Sequence, residues 1–258
     1  MRILNIAHGS LLMLGGYVAF FLFSLYHIDP VLSLPLVALI MFLFGMGVYK
    51  LVFSHIVRFP EGTKLNTSLL LSFGLILIID TAAVELFTAD HRSVTPFYTG
   101  LTLEIFNLRF PYIRIGGFVV AGIVILGLKV FLYKTYLGKS IRATAEDWEA
   151  ATLMGINIGR TYLASFALGA ALAAMAGSLI SVSYSISPDM GMEWTLKAMI
   201  VMILAGMGSI GGVAAAGVLI GVTEAVSAIF IGPYMVVVGL VIFLLLLMFR
   251  PYGLFGRK

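Results

Sequence analysis

The chain has 258 residues, of which 61% are hydrophobic and 11% are charged, with a formal net charge of +4. In soluble domains about a quarter of the residues are charged, so this composition excludes an ordinary soluble protein and indicates a chain that lies in a lipid bilayer. The absence of cysteine excludes disulfides, thiol catalysis and cysteine-bound metals. The basic residues lie at the ends of apolar segments, where they orient helices, so we expect no nucleic-acid partner.

Long apolar segments follow one another along the chain. They are continuously apolar and do not alternate, which favours membrane-spanning helices over a β-barrel. We therefore predict an all-α, polytopic helical membrane protein with about eight transmembrane segments, in a single transmembrane domain over residues 1–258. The first and the sixth segments are short for a crossing of the bilayer. The segments are Leu11–Tyr26, Val31–Phe53, Ser68–Phe87, Ile115–Tyr133, Thr161–Tyr184, Leu196–Ser209, Val213–Ile231 and Pro233–Phe249.

The basic residues cluster on one side of this arrangement. Most of the 16 lysines and arginines lie near the chain termini and in the connections 50–64 and 129–160. Cytoplasmic connections carry an excess of basic residues, so both termini and these connections are predicted to lie in the cytoplasm, at a bacterial-type inner membrane. The opposite side then carries the extracytoplasmic loop Thr88–Arg114. Alternation around Leu101–Phe110 predicts either a small hairpin or, equally, an irregular loop.

Small residues recur at helical spacing in two of the segments. Such stripes let helix backbones approach closely, within one subunit or at an interface between subunits, and we expect the packing within one subunit. The residues concerned are Gly169, Ala173 and Gly177 in one segment and Gly217 and Gly221 in another.

The glycine-rich stretch Gly206–Gly212 resembles a phosphate loop only superficially. It lacks the Lys-Ser/Thr pair that follows in a nucleotide-binding loop, and it lies between apolar helices. We also find no polar cluster with catalytic or metal-ligand spacing. We therefore expect a protein that is not an enzyme, hydrolyses no ATP by itself, and holds no cofactor and no metal.

The connection between the fourth and fifth segments contains a short amphipathic stretch, Thr144–Gly155. Thr144 is placed to cap a helix, Asp147 three residues on fits a capping box, and Gly155 is placed to end the helix in a left-handed conformation. Its first turn is acidic, whereas helices that lie on lipid usually carry basic faces. We therefore predict an exposed docking helix for another protein, with a helix at the lipid surface as the alternative. The predicted contact residues are Glu146, Asp147, Glu149, Ala150, Ala151 and Gly155.

The same stretch carries a family motif. Glu149-Ala150-Ala151 followed by Gly155 matches the EAA-x3-G core of ABC importer permease subunits. With Asn5-Ile6-Ala7-His8-Gly9, Leu204–Gly212 and Arg250–Gly256, nearly the whole chain resembles branched-chain amino acid permeases of the LivH/LivM type. The Ile-x-Leu-Pro element of the wider EAA pattern is missing after Gly155. An apolar helix usually precedes the Asn-x-Ala-His-Gly stretch, so either Met1 is internal to a longer reading frame or the protein lacks that helix.

The resemblance implies a set of partners. These are a second permease subunit, two cytoplasmic ATP-binding subunits that dock on the helix near residues 145–155, an extracytoplasmic substrate-binding protein, and membrane lipid around the helices. It implies leucine, isoleucine, valine or a related small solute as the substrate. Urea, amide and sugar permeases share much of this architecture, so the sequence does not determine the solute.

Four polar residues in or beside the apolar segments are candidates for the substrate pathway: Asn5, His8, Asp80 and Glu224. A central charge costs at least about 2.5 kcal/mol on insertion scales, so each charge must face protein, water or solute. Glu224 either lines the pathway near the solute ammonium or pins helices together, whereas Asp80 lies nearer a helix end. Asn5 and His8 either line the pathway or hold a broken helix. The main alternative function is a proton-coupled secondary transporter that uses Glu224 and Asp80.

Overall fold

The computed structural model describes residues 5–56, 61–105, 108–206, 208–232, 235–249 and 253–254. The predicted cytoplasmic basic residues Arg2, Arg58, Arg250, Arg257 and Lys258, and most of the Arg250–Gly256 motif, lie outside this part. Within it the chain is almost entirely helical. The helices are α1 His8–Tyr26, α2 Pro30–Val48, α3 Glu61–Phe87, α4 Tyr112–Lys134, α5 Tyr136–Glu146, α6 Trp148–Leu153, α7 Ile158–Ser183, α8 Met190–Ala205, α9 Ile210–Ile231 and α10 Met235–Phe249.

Six stretches of the described helices are long and apolar enough to cross a membrane. They are His8–Tyr26, Pro30–Phe53, Thr63–Phe87, Tyr112–Lys134, Ile158–Ser183 and Ile210–Phe230, and in the second of them a π-helical turn at Tyr49–Phe53 extends α2. Helices α8 and α10 have 16 and 15 residues and are shorter than the roughly 20 that a straight crossing needs. The polytopic helical class is therefore confirmed, while the count of about eight crossings stays a prediction.

The chain divides into two compact units, Met1–Glu193 and Trp194–Lys258. In the first unit α7 packs closely against α1 and α2, because small residues face each other at the crossings. A Cβ added to Gly177 would collide with the Leu12 carbonyl oxygen, and one added to Gly45 would lie 2.7 Å from the Ala170 Cβ. The stripe on α7 therefore serves packing within the subunit, as expected. Gly221, by contrast, has no atom within 4 Å of such a Cβ.

In the second unit, apolar residues of α8 and α9 form a core. The described residues near the end of the chain are hydrogen-bonded to the last turn of α8. The Leu254 N–H donates to the Leu204 carbonyl at 2.8 Å. Gly253 has a φ of +77°. A Cβ on it would lie 2.6 Å from the Gly206 nitrogen, so only glycine fits this approach. Two of the motifs that carry the family resemblance therefore meet here. The core consists of Ile200, Leu204, Ala205, Ala216 and Ile220.

The loop between α3 and α4 is ordered by a hairpin and by contacts to α2 and α7. Strands β1 Thr102–Ile105 and β2 Leu108–Pro111 pair antiparallel, with Leu103 opposite Phe110, so the hairpin alternative is confirmed. The Tyr98 hydroxyl donates to Asp29 Oδ1 at 3.2 Å, and the same oxygen caps α2 by accepting from the Val31 N–H at 2.8 Å. This loop is therefore fastened to the first turn of α2.

A second fastening of the loop involves Arg92. Its backbone forms an antiparallel bridge with Ile186, in the segment after α7. Its guanidinium donates to the Phe87 carbonyl at 2.6 Å and lies over the rings of Phe20 and Phe21, at 5.3 and 5.7 Å from their centroids. Arg92 therefore joins the ends of α1 and α3 to the segment that leads into α8.

Candidate functional site

The predicted docking helix is shorter than the sequence suggested. Thr144 does not begin it: this residue is buried inside α5, and α5 ends at Glu146. Asp147 then takes an extended conformation with φ −147° and ψ 107°, and α6 begins at Trp148. The expectation of one helix from Thr144 was wrong because Asp147 is itself a preferred cap, and its side chain satisfies backbone donors that a continuous helix would not leave free.

Both ends of α6 are capped by its own residues. Asp147 Oδ1 accepts from the Glu149 N–H at 2.9 Å and the Ala150 N–H at 3.0 Å. At the other end Gly155 has a φ of +80°, which confirms the predicted left-handed stop. The Gly155 N–H donates to the Thr152 carbonyl and the Ile156 N–H to the Ala151 carbonyl, which is the paired pattern of a Schellman cap. The caps therefore satisfy backbone groups at both ends of this six-residue helix.

One face of α6 is held against the body of the protein and the rest is exposed. Ala151 is buried, whereas Leu153 and Met154 are 88% and 83% exposed. Glu149 and Ala150 are also exposed, as are Glu146, Asp147 and Gly155. The helix therefore presents carboxylates beside two large apolar side chains. Such a mixed exposed surface is more typical of a binding site for another protein than of a surface that contacts only water.

The connection to α4 is a tight corner that fixes where α5 and α6 lie. Thr135 Oγ1 accepts from the Gly138 N–H at 3.0 Å, and a Cβ on Gly138 would collide with the Phe131 carbonyl oxygen. Arg142 closes the corner by donating to the Leu132 carbonyl at 3.0 Å, with its guanidinium 4.1 Å from the centroid of Tyr133. These contacts therefore hold the start of α5 against the end of α4.

A further contact joins α6 to α3. Lys64 Nζ, on the first turns of α3, lies 5.3 Å from the ring centroid of Trp148. A cation over an indole face is attracted by its quadrupole, with about 0.5–1 kcal/mol at exposed sites. Lys64 was predicted only as part of the basic cluster, since nothing in its spacing indicates a contact with a residue more than eighty positions away.

Asp80 lies on α3 and is half-buried. Its Oδ1 accepts a hydrogen bond of 2.8 Å from the Ser10 hydroxyl on α1, and Ser10 is buried. The expectation for Asp80 was a helix-end role. The structure instead gives it a partner on another helix, seven residues before the end of α3. Ser10 was missed because a lone serine in an apolar run carries no signal of its own.

Glu224, on an apolar helix long enough to cross a membrane, pairs with a charge on the neighbouring apolar helix. Lys197 Nζ on α8 lies 3.6 Å from Glu224 Oε2 on α9, with the side chains 13% and 19% exposed. Lys197 Nζ also lies 4.9 Å from the ring centroid of Trp194. The pair joins α8 to α9 through Glu224, and the pathway role of Glu224 stays a prediction. The signal for Lys197 was present in the sequence, because a lone lysine in an apolar segment requires a partner.

Asn5 and His8 form a turn at the start of α1. Asn5 Oδ1 accepts from the Ala7 N–H at 3.0 Å, and His8 Nδ1 lies 2.8 Å from the Asn5 carbonyl oxygen. His8 Nε2 would lie 3.2 Å from a Cβ on Gly169. The Asn5 amide nitrogen is buried and has no hydrogen-bond partner within the described part of the chain. The structure brings these two residues together at the start of α1.

These features define a multi-pass helical membrane protein with an exposed, doubly capped helix on one of its polar faces. The chain belongs to the family described as the branched-chain amino acid transport system permease component, which matches residues 1–249. It is 30% identical over 268 residues to the high-affinity branched-chain amino acid transport system permease protein BraD of Pseudomonas aeruginosa, covering 98% of this chain and 86% of that protein.

Other relatives carry similar names. The high-affinity branched-chain amino acid transport system permease protein LivH of Escherichia coli K12 is 28% identical over 269 residues, with 98% of this chain and 86% of that protein covered. A probable branched-chain amino acid transport permease protein LivH of Methanocaldococcus jannaschii is 28% identical over 261 residues, with 98% and 82% covered. No solved structure matches the chain significantly.

Proposed function

We propose that this chain is a transmembrane subunit of an ABC importer for branched-chain amino acids or a related small solute, powered by two separate ATP-binding subunits. The observation that carries the proposal is α6. It is exposed, closed at both ends, and fastened at its back to α3 through Trp148 and Lys64. A partner protein can bind a rigid projection of this kind. A displacement of the projection can then be transmitted to the membrane-spanning helices.

Docking on α6 is proposed to involve the exposed residues of the EAA-like motif. Glu149 and Ala150 offer a carboxylate and a small apolar surface, while Leu153 and Met154 offer large apolar side chains to a cleft in the partner. Asp147, Ala151 and Gly155 shape the helix, since two cap it and one is buried beneath it. Glu146 ends α5 and adds a further carboxylate beside the docking surface.

In this proposal ATP acts through the docked helix. The ATP-binding subunits bind nucleotide more tightly in one arrangement, and that preference shifts the transporter between its two open states. The force enters α4 through the α4–α5 corner and α3 through the contact between Lys64 and Trp148. This chain contributes no nucleotide site, cofactor or metal of its own to the cycle.

The remaining partners and the orientation complete the proposal. Both termini and α6 lie in the cytoplasm at the inner membrane, because the basic connections lie on that side. A second permease subunit completes the pathway, and a substrate-binding protein delivers the solute at the face that carries the β1–β2 hairpin. Asn5, His8, Asp80 and Glu224 remain the proposed polar residues of the pathway, and the pairing of Glu224 with Lys197 gives no support to a proton-coupled carrier.

The test is assembly followed by transport. The chain is expressed with its second permease subunit and its ATP-binding subunits, purified, and placed in vesicles with the binding protein and radiolabelled leucine. The proposal expects co-purification of all subunits and uptake that requires ATP. Substitution of Glu149 and Gly155 together is expected to abolish co-purification while membrane insertion continues. Normal co-purification of that variant would refute the docking role of α6.

A further inference from the structure

Helices α1 and α3 run side by side over a defined stretch. Ser10 contacts Asp80, and seven residues further along each helix Tyr17 stacks on Phe87, with ring centroids 4.5 Å apart. Seven residues rise by about 10 Å in an α-helix, so the two contacts lie at matching heights. The Ser10–Asp80 pair consequently lies about 10 Å below the end of α3, inside the membrane-spanning region.

The segment that leads into α8 runs along the same stretch of α1 in the opposite direction. Ile186 lies against Gly16, with side-chain atoms 3.5 Å from the position of a Cβ there. Five residues later a Cβ on Gly191 would lie 3.2 Å from the Ser10 nitrogen. Asp189 lies between these contacts and is exposed. It is within electrostatic reach of both the Asp80 carboxyl and the Tyr17 hydroxyl.

Tyr17 contributes a polar group that nothing in the described part of the chain satisfies. Its side chain is 1% exposed, and its hydroxyl is buried with no hydrogen-bond partner. An unsatisfied buried hydroxyl is costly, typically by about 1–3 kcal/mol, so such groups usually await a water or a ligand. The hydroxyl is also within electrostatic reach of Arg92.

The charges around this place do not cancel. Asp80 and Asp189 are two acids within electrostatic reach of each other, whereas the cation Arg92 is within reach of the Tyr17 hydroxyl. Ser10 engages one oxygen of Asp80, which leaves acceptor capacity on that carboxylate, because each carboxylate offers about four lone-pair sites. The cluster therefore has an excess of acceptors and an excess of negative charge.

We propose that Asp80, Asp189 and Tyr17 form a subsite for a primary ammonium group of the transported solute. An ammonium group has three N–H donors and one positive charge, which matches two carboxylates and one phenol oxygen. Ser10 and the Tyr17–Phe87 stack hold the subsite in place. The identity of the group as the α-ammonium of an amino acid rests on the proposed function, whereas the preference for an ammonium follows from the residues themselves.

The chain has no cysteine, so a single reporter thiol can be introduced cleanly. Met192 is 58% exposed and lies one residue beyond Gly191. The full-length Met192→Cys chain is placed in lipid nanodiscs, where both faces are accessible, and is labelled with a cationic and an anionic methanethiosulfonate. We expect the cationic reagent to react about tenfold faster, because nearby negative charge concentrates cations. Asp189→Asn in the same background is expected to remove most of that difference, while Asp90→Asn, a loop acid, is expected to leave it.

Protection then identifies the ligand group. L-leucine and isoamylamine, which both carry an ammonium, are expected to slow labelling, while α-ketoisocaproate, which has the carboxylate and no ammonium, is expected to have no effect. Asp80→Asn, which retains an oxygen for Ser10, and Tyr17→Phe are each expected to weaken protection about tenfold. Equal protection by the keto acid, or undiminished protection in Asp189→Asn, would overturn the subsite. Because labelling needs no ATP-binding subunits, absent ATP-driven uptake with intact protection would count against the proposed function alone.

Discussion

Lys197 on α8 and Glu224 on α9 form an ion pair of 3.6 Å between two helices of the second unit. Gly239 on α10 lies next to the same carboxylate, since a Cβ there would be 4.0 Å from Glu224 Oε1. Three helices therefore meet around one carboxylate that a bilayer would otherwise make costly. The pair explains why two charges persist in apolar segments, and it makes the second unit sensitive to the loss of either.

Removal of one member of this pair should destabilise the protein, and removal of both should restore much of the loss. Glu224→Gln removes the carboxylate beside the Lys197 ammonium. We expect this variant to lower the free energy of unfolding by about 1–3 kcal/mol. The loss is at or below the lower end of the range for buried pairs, because both side chains retain some exposure. Lys197→Met with Glu224→Gln should be more stable than the single Glu224→Gln variant. Thermal unfolding of the purified chain measures this, with the exposed Glu85→Gln as control. Strictly additive effects would show that the two residues do not interact.

The close packing of α7 on α1 predicts that alanine substitution has unequal effects on stability at two glycines, each of which lies in a stripe of small residues. Gly177→Ala places a methyl group against the Leu12 carbonyl, and forcing the helices apart should cost about 1–3 kcal/mol. Gly221→Ala has open space and removes a flexible residue from a helix, so it should be neutral or slightly stabilising. The midpoints of thermal unfolding of the two variants test the difference. Equal midpoints would contradict the close approach of α7 and α1.

The cap at Gly155 predicts a loss of docking without a general loss of stability. Gly155→Ala has room for its methyl group but must hold a φ of +80°, at a cost of about 1–2 kcal/mol that falls on α6 alone. We expect weaker co-purification of the ATP-binding subunits and an unchanged unfolding midpoint. Gly127→Ala, inside α4 with open space, is the matched control. If both variants retain the ATP-binding subunits equally, the shape of α6 does not govern docking.

The loop that carries the hairpin should loosen when its contact with α2 is removed. Burial, and then the hydrogen bond to Asp29, raises the pKa of Tyr98 above the ordinary value of 10.0 for a tyrosine. Because the folded-state pKa is raised, the contribution is complete below pH 10 and is lost only as the pH rises through the raised value. Tyr98→Phe should therefore speed tryptic cleavage in the loop about fivefold at pH 8. The lost hydrogen bond stabilises the closed loop by about 1 kcal/mol, so its removal raises the population of the open loop by that factor.

The control for this prediction is Tyr136→Phe, an exposed tyrosine at the start of α5. Wild-type protein should remain protected from pH 7 to pH 9, since the Tyr98 hydroxyl stays protonated and keeps donating. Cleavage that accelerates in wild type below pH 9 would contradict a raised pKa, and a rate for Tyr98→Phe equal to that of the control would show that the contact does not hold the loop.

The helical class and most helix positions were predictable from the apolar runs. In lipid such a run forms a helix, because a helix satisfies its own backbone N–H and C=O groups with hydrogen bonds. Gly155 was equally predictable, since the end of a helix in a left-handed conformation depends on local sequence. The division at Asp147 was missed although its cause is local. Asp147 is compatible with two positions, one inside the acidic first turn of a helix that starts at Thr144 and one as the N-cap of a separate helix. Only the burial of Thr144 within α5 decides between these two positions.

The partners of the polar residues were not predictable from a single sequence. Ser10 and Asp80 are 70 positions apart, and Lys64 and Trp148 more than 80, so no local period connects them. Lys197 could have been paired with Glu224 by asking which charges share the bilayer. Asp189 and Tyr17 gave no signal, because an acid beside a helix start and a tyrosine in an apolar run are each common. They become informative only because Asp189 is within electrostatic reach of both Asp80 and Tyr17.

The central claim is that this chain moves solute only when separate ATP-binding subunits drive it through α6. Uptake of radiolabelled leucine into vesicles tests it most directly, with the binding protein outside and ATP or a non-hydrolysable analogue within the compartment that contains the ATP-binding subunits. We predict accumulation with ATP, none with the analogue, and none when the Glu149 and Gly155 double variant replaces wild type. Accumulation by the chain alone, driven by a proton gradient without ATP, would contradict the claim.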